Sequence, residues 1–474
     1  MKNRMIYLAV LSMALLGLLM LTSITAWAGG YTVYVPPPNG TDDTANLQTA
    51  FDTCVAHGSG CTVQLAAGNY LTKQLVTYNF LGTLKGKGRD KTVIEALPNL
   101  PVNLPDFSVQ APCMPNPTTC LWPSLIMFVD GDIRISDISI KVTAPPGTAT
   151  TGWFYGGSEY TDLIDTLRFM GQRRTNAYID RVAIEGLPDD SPTSWGFNVI
   201  NGVIYTGELP RSQTPFDYYF LSGTLAVRNS SFKTMFDGVS QDGFLKESRV
   251  TVGGSRSQGN VFENLYVGID MEASESSIFD ISYNTSSGIW YSMWVVPWRP
   301  EFVPSKPSQY FIHDNKFTTT GSYAGGVYLW NDPANPWIHA MIYNNAIEPQ
   351  DTLWDGIGAY NTTGTAIWNN TITGSGADAI GLWGSTLSAV INNDVGNFSA
   401  DPSLGYAQIY LDPATSYDLV VCPNSNSTVL DQGTMNKVIG CQQTTDSAEA
   451  SALSTAPTTS VARPNLPRRK PSLP

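Results

Sequence analysis

Ile312-His313-Asp314-Asn315-Lys316-Phe317, Ile342-Tyr343-Asn344-Asn345-Ala346-Ile347 and Ile367-Trp368-Asn369-Asn370-Thr371-Ile372 are one pattern written three times. Each copy reads apolar, two variable residues, Asn, one variable residue, apolar. A second unit, small residue then apolar, follows each copy: Gly326-Val327-Tyr328-Leu329, Gly356-Ile357 and Ala379-Ile380. Downstream, Asn393 (between Val390 and Val395) and Asn424 (after Val421) continue the series. Upstream it contains Asn284 after Ile281, Asn260 before Phe262, and Ser230 between Val227 and Phe232. From Ser230 the spacings are 30, 24, 31, 30, 25, 23 and 31 residues. Weaker copies lie at Ile135, Ile138, Ile140 and at Ile179, Val182, Ile184. A period of 23 to 31 with strand-like alternation predicts a solenoid. Each coil is a set of short strands, and equivalent turns stack about 4.8 Å apart. Asn at the same turn of every coil can then form an amide ladder. The fold class predicted is all-β, a single-stranded parallel β-helix over residues 92–441.

The segment 29–91 has a different logic. Asn39-Gly40-Thr41-Asp42-Asp43-Thr44 is a turn followed by capping residues. Leu47, Ala50, Phe51 and Cys54 then recur at helical spacing. They predict an amphipathic helix that covers the first coil, ending at Gly58-Ser59-Gly60. Cys61 to Leu65 alternates as a strand. Before all this, Lys2 and Arg4 precede an apolar run from Ile6 to Ile24 and the small-x-small site Ala26-Trp27-Ala28. Residues 1–28 therefore read as a signal peptide, a retained membrane anchor being the alternative reading of the same run. Export, to the periplasm or the extracellular space, follows from the first reading, with no stable membrane insertion.

An oxidising compartment suits the six Cys, which fall into three local pairs: Cys54/Cys61, Cys113/Cys120 and Cys422/Cys441. Six Cys allow 15 connectivities, and buried free thiols are the other reading. Three His and scattered Cys do not make a zinc cluster. The chain of 474 residues carries 27 basic and 40 acidic side chains, a net charge of −13. That balance repels nucleic acid and disfavours polyanionic glycans. Residues 442–474, rich in Ser, Thr, Ala and Pro, are expected to be a disordered tail that cannot extend the stack, leaving a monomer.

The N-terminal run Pro36 to Gln48, with the helix, strand and Gly-rich bridge that follow, resembles the opening of the pectate-lyase superfamily. The repeated Asn turns are similar to that superfamily's right-handed β-helix. The resemblance implies secretion and a polysaccharide held along one sheet, but it fixes architecture more than chemistry. The catalytic motifs of polygalacturonases (Asn-Thr-Asp, Gly-His-Gly, Arg-Ile-Lys) and the Arg-x-Pro-x-x-Arg of pectate lyases are missing. No family catalytic residue is therefore carried over.

Period-2 alternation through the Gly-apolar strand predicts which residues face out. Val239, Ile269, Ile289, Val327, Ile357 and Ile380 point inward. Asp242, Asp270 and Glu272 then form an outward carboxylate cluster, the candidate catalytic residues. Trp290, Tyr328, Trp330, Tyr360 and Trp383 form an exposed aromatic strip beside it, the candidate substrate platform, because pyranose rings stack on aromatic faces. Asp270 and Glu272 would be about 6–7 Å apart along the strand, with Asp242 about 5 Å away in the next coil. Such crowding favours one protonated acid beside one ionised base, at separations glycosidases use. The same trio could bind Ca²⁺ through oxygen ligands. His313, His339, Asp332 and Asp355 read as ordinary surface or turn residues. The function expected is a secreted polysaccharide hydrolase or lyase acting on a neutral or weakly charged glycan. The alternative is a non-catalytic glycan-binding, adhesin-like or envelope surface protein.

Overall fold

Ile281 lies beside Ile312, Ile312 beside Ile342, Ile342 beside Ile367 and Ile367 beside Val390, each pair parallel and in register. The repeat in the sequence is thus one coil of a right-handed parallel β-helix. This is seen in a computed structural model that describes residues 30–97, 124–143, 164–187, 198–207, 221–241, 245–272, 274–296, 304–320, 325–331, 338–350, 354–374, 376–396 and 406–444. The signal segment, Cys113, Cys120, Asp242, Asp332 and residues 445–474 lie outside the described residues, whereas Gln442–Thr444, expected to belong to a disordered tail, form a strand paired with Thr428–Asp431 because the backbone there still finds a ladder partner.

The Asn turns do what their spacing predicted. Asn315 Oδ1 accepts from the backbone N–H and the Nδ2 of Asn284, at 2.9 and 3.0 Å, while Asn315 Nδ2 donates to Ile281 O and Asn345 Oδ1. The same bonds link Asn260, Asn284, Asn315, Asn345, Asn370 and Asn393 into one buried ladder. The residue just before each turn Asn is often left-handed: Asp314 (φ 54), Asn344 (φ 54), Asn369 (φ 54) and Asn392 (φ 53). Asn and Asp tolerate that conformation better than other side chains with a Cβ, which explains the doubled Asn-Asn in the sequence.

The small residue of the Gly-apolar unit marks a second corner. A Cβ on Gly238 would sit 2.6 Å from Gly268 O, one on Gly268 2.7 Å from Ser292 O, and one on Gly326 2.1 Å from Gly356 O. At this corner the backbone of one coil lies directly against the next, so the column stays small: Gly202, Gly238, Gly268, Ser292, Gly326, Gly356, Ala379. The next residue points in: Val239, Ile269, Met293, Val327 and Ile357 belong to the interior core.

At the N-terminal end the helix Thr44–His57 buries Leu47, Ala50, Phe51 and Cys54. Phe51 meets Phe80 and Phe128 edge-on, with centroids 5.5 and 5.8 Å apart. Gly58 (φ 92) ends the helix, and the Cys54–Cys61 disulfide ties it to the strand Cys61–Gln64. A second disulfide, Cys422–Cys441, joins the last coils. No helix among the described residues is long and apolar enough to cross a membrane.

Candidate functional site

The sheet that follows the Gly corner carries the outward residues of interest. Its register sets Ser240 beside Asp270, Asp270 beside Trp294, Trp294 beside Tyr328, and Trp330 beside Tyr360 beside Trp383. Two residues past Asp270, Glu272 pairs with Val296. Asp270 and Glu272 therefore share one outward face as predicted, but both are fully buried rather than solvated (0% and 1% exposed). The backbone of Glu272 is held from both sides. Its N–H donates to Gln241 Oε1 at 3.1 Å, and its carbonyl accepts from the Tyr310 hydroxyl at 3.4 Å.

The predicted aromatic strip needs two corrections. Trp290 is not in it: the residue aligned with Tyr328 is Trp294, and Trp290 sits on the corner against Tyr266, 43% exposed. Gly288-Ile289 imitates the Gly-apolar unit, whereas the true corner of this coil is Ser292-Met293. The strip also presents ring edges rather than open faces. Tyr360 stacks on Trp383 (5.7 Å, 5°) and Trp330 on Tyr360 (5.5 Å, 21°), while Tyr328 is buried (2% exposed). Asp355, read from sequence as an ordinary turn residue, organises them. Its Oδ2 accepts from Trp383 Nε1 and Tyr360 OH, and its carbonyl accepts from Tyr328 OH at 3.0 Å. Burial, with Asp355 beside it, pushes the Tyr328 phenol well above its ordinary range.

Four site residues went unread. Asp165, Asn201 and Asp237 lie side by side in successive coils, one residue before the small corner position. Asn201 Nδ2 donates to Asp165 Oδ1 at 2.7 Å. Arg168, aligned with Ile204 and so with Ser240, donates to Asp165 Oδ2 through Nε (2.8 Å) and Nη2 (2.7 Å). All four are buried. Burial pushes the Tyr266 phenol up, and the nearby charge of Asp237 adds to the shift. A signal existed in the sequence. An acidic or amide residue stands before the small corner residue in Asp165-Thr166, Asn201-Gly202, Asp237-Gly238, Asp355-Gly356 and Asp378-Ala379. Uninterrupted period-2 alternation would have turned those residues inward.

By register Ser240 lies beside Asp270, Glu272 follows two residues later on the same strand, and Asp237, three residues before Ser240, lies beside Asn201 of the Arg168–Asp165–Asn201 network. Ser240 Oγ, Thr166 Oγ1 and Asn201 Oδ1 are buried and make no hydrogen bond among the described residues. Such atoms mark places where a polar ligand or water completes the bonding. Among the described residues no group of three or more His, Cys, Asp or Glu could hold a metal ion. Asp242, the third member of the expected Ca²⁺ set, lies outside them.

The class defined here is a parallel β-helix with buried carboxylates on the outward side of one sheet. No family model matches the chain, and no curated protein matches it. Solved structures similar to it include the periplasmic alginate epimerase AlgG, at 14% identity over 82% of this chain and 84% of that one (TM-score 0.47). Another is the catalytic unit of a GH87 alpha-1,3-glucanase from Streptomyces thermodiastaticus, 11% identical over 88% and 69% (TM-score 0.45). A third is the polygalacturonase from Erwinia carotovora ssp. carotovora, 12% identical over 84% and 96% (TM-score 0.40).

Proposed function

We propose that the chain is an exported polysaccharide-acting enzyme that binds a glycan across the outward sheet and uses Asp270 and Glu272 as its acid–base pair. One observation carries this reading: two carboxylates, two residues apart on one strand face, are fully buried on the outward side of the sheet. Buried carboxylates are uncommon, and outside a metal site they gather where chemistry or an ion-pair network uses them. Residues two apart on a strand stand about 6–7 Å apart, a spacing that can hold two carboxyls within the roughly 5–9.5 Å glycosidases use. In glycosidic cleavage one carboxyl protonates the leaving oxygen and the other activates water or attacks the anomeric carbon.

A neutral or weakly charged glycan fits the face better than a polyuronate. The net charge of −13 disfavours a polyanionic substrate, and Arg168, a cation of this sheet, already has two N–H groups engaged by Asp165. This supports hydrolysis over lyase chemistry, which needs a cation to neutralise the sugar carboxylate. The signal-like segment 1–28 and the two disulfides support export.

The test is release of reducing ends from a panel of neutral and acidic polysaccharides by the mature protein. Asp270→Asn and Glu272→Gln should each lower release by a factor of about 100 or more. Unchanged release in both variants would remove these residues from the chemistry. Binding without release by the unmodified protein would select the non-catalytic glycan-binding alternative.

A further inference from the structure

The second sheet of the coil, formed by strands such as Ile338–Tyr343, Ala366–Trp368, Ala389–Ile391, Leu419–Val421 and Lys437–Ile439, has an outward side of its own. Over the last four coils that side is almost free of charge. One outward column is Ala366, Ala389, Leu419 and Lys437, and the next is Trp368, Ile391, Val421 and Ile439. Lys437 is the one charged residue in these two columns. An outward strand face in water ordinarily alternates with polar residues.

The turn leading into these strands adds a third column, Leu387, Tyr417 and Met435. Hydrogen bonds and bridges stack them in successive coils. They are 65%, 58% and 75% exposed. All three are left-handed, at φ 56, 61 and 57. One coil earlier the same place is held by Gly364 (φ 69), where an added Cβ would meet nothing within 4 Å. Most Asn-ladder turns solve the same backbone problem with Asn or Asp, Tyr283 (φ 60) before Asn284 being an exception. Leu, Tyr and Met are poor choices for a left-handed residue, costing about 1–2 kcal/mol each relative to an unstrained one. Water-facing apolar groups gain nothing in the isolated chain that offsets this. Apolar side chains this exposed, stacked in three successive coils beside a nearly uncharged face, gain burial only from a partner outside the chain.

We infer that this face is where two copies of the chain pair, sheet against sheet about a two-fold axis. Three columns about 7 Å apart and four coils about 4.8 Å apart, with the side chains' own width, give a flat apolar patch on the order of 500 Å². With its rim it approaches the roughly 800 Å² per partner of a standard interface. A flat, nearly uncharged sheet is complementary to its own copy, and sheets stack at about 10 Å. A glycan is a poorer occupant. The Trp368 ring lies parallel on Tyr343 (4.5 Å, 7°), so its face is already covered. A strongly charged partner would find only Lys437 to steer it. The two-fold replaces the monomer expected from sequence.

Sedimentation equilibrium on the mature protein tests this. A reversible dimer in about the micromolar range is expected. Leu387→Glu with Tyr417→Glu should weaken association by about 30-fold or more. Leu387→Gly with Met435→Gly separates interface from fold: it should raise the melting temperature of the dilute monomer by relieving the turn, while weakening the dimer. A protein that stays monomeric up to about 100 µM would overturn the inference. So would a dimer indifferent to both pairs of substitutions. If the full chain is monomeric and dimerises only after removal of residues 445–474, the tail is the occupant and the inference fails.

Discussion

Trp383 Nε1 donates to Asp355 Oδ2 at 3.2 Å, tying an aromatic residue of one coil to an acidic residue of the coil before it. The same oxygen accepts from Tyr360 OH at 3.3 Å. One buried carboxylate thus holds two stacked rings. Asp355→Leu keeps the bulk and removes the acceptor that both donors share. It should lower stability by about 1–3 kcal/mol and alter the near-ultraviolet circular dichroism of the tryptophans. An unchanged spectrum would show that ring stacking alone orders the strip.

The ladder makes each Asn part of three coils at once. Asn315 accepts from Asn284 and donates to Ile281 O and Asn345 Oδ1. In Asn315→Ala the backbone N–H of Asn284 and the carbonyl of Ile281 lose this partner in a buried setting. The expected loss is about 3 kcal/mol or more, read from urea unfolding. Lys316→Ala, next in sequence but exposed, should change stability by less than about 0.5 kcal/mol. Similar losses for the two would mean that the ladder carries little of the cooperativity.

The ladder and the coil were legible because both rest on residue types that repeat. Asn at a buried turn and an apolar residue on each side leave a trace in every coil, so register from Ile281 to Val390 follows from spacing alone. The site was legible only in part. Asp270 and Glu272 follow a clean alternation, but Asp165, Asn201 and Asp237 precede a corner at which alternation is broken. The corner shows in sequence only as a small residue. Where that residue is Ser292 and a nearby Gly288 precedes Ile289, the imitation draws the reading to Trp290 in place of Trp294. Burial of the outward acids was not readable at all, since alternation reports direction and not what lies above the sheet. Left-handed Leu387, Tyr417 and Met435 were equally silent, because nothing in those residue types announces a positive φ.

Two buried or half-buried groups make stability depend on pH in the same sense. Asp418 is held by the N–H of Ser388 at 2.7 Å, but burial, followed by repulsion from Asp431 and Asp412, pushes its carboxyl up to about 7. The folded chain therefore keeps a proton there that the unfolded chain releases near pH 4. The stability contributed by that proton is full below about pH 4 and is lost as pH rises toward 7, by up to about 1.4 kcal/mol per pH unit. For His313, burial lowers the imidazole, but Asp280 and Asp314 outweigh it and the net shift is upward. Its contribution is full below the ordinary histidine range and is lost as pH rises through the raised value. Melting temperature should accordingly fall from pH 5 to 8. Asp418→Asn should flatten most of the slope below pH 7. A profile that rises over this range would place the titrating groups elsewhere.

The helix at the start of the β-helix should be indispensable to it. A solenoid ends in unpaired strand edges and an open apolar interior, which other chains can join. The helix Thr44–His57 sets Leu47, Ala50, Phe51 and Cys54 into the interior core at that end, and Phe51 contacts both Phe80 and Phe128. Phe80 and Phe128 belong to the paired strands Leu75–Lys85 and Ser124–Lys141 near the start of the stack. Phe51→Ala removes a fully buried ring from between them and should cost about 3–5 kcal/mol. The Cys54–Cys61 disulfide would still hold the weakened helix in place. Deletion of 44–56 goes further, taking the whole apolar face and Cys54 with it, and should yield aggregates through the exposed first coil. Light scattering during expression and thermal unfolding would report both effects. A soluble deletion variant that melts cooperatively would show that the first coil needs no helix to close it.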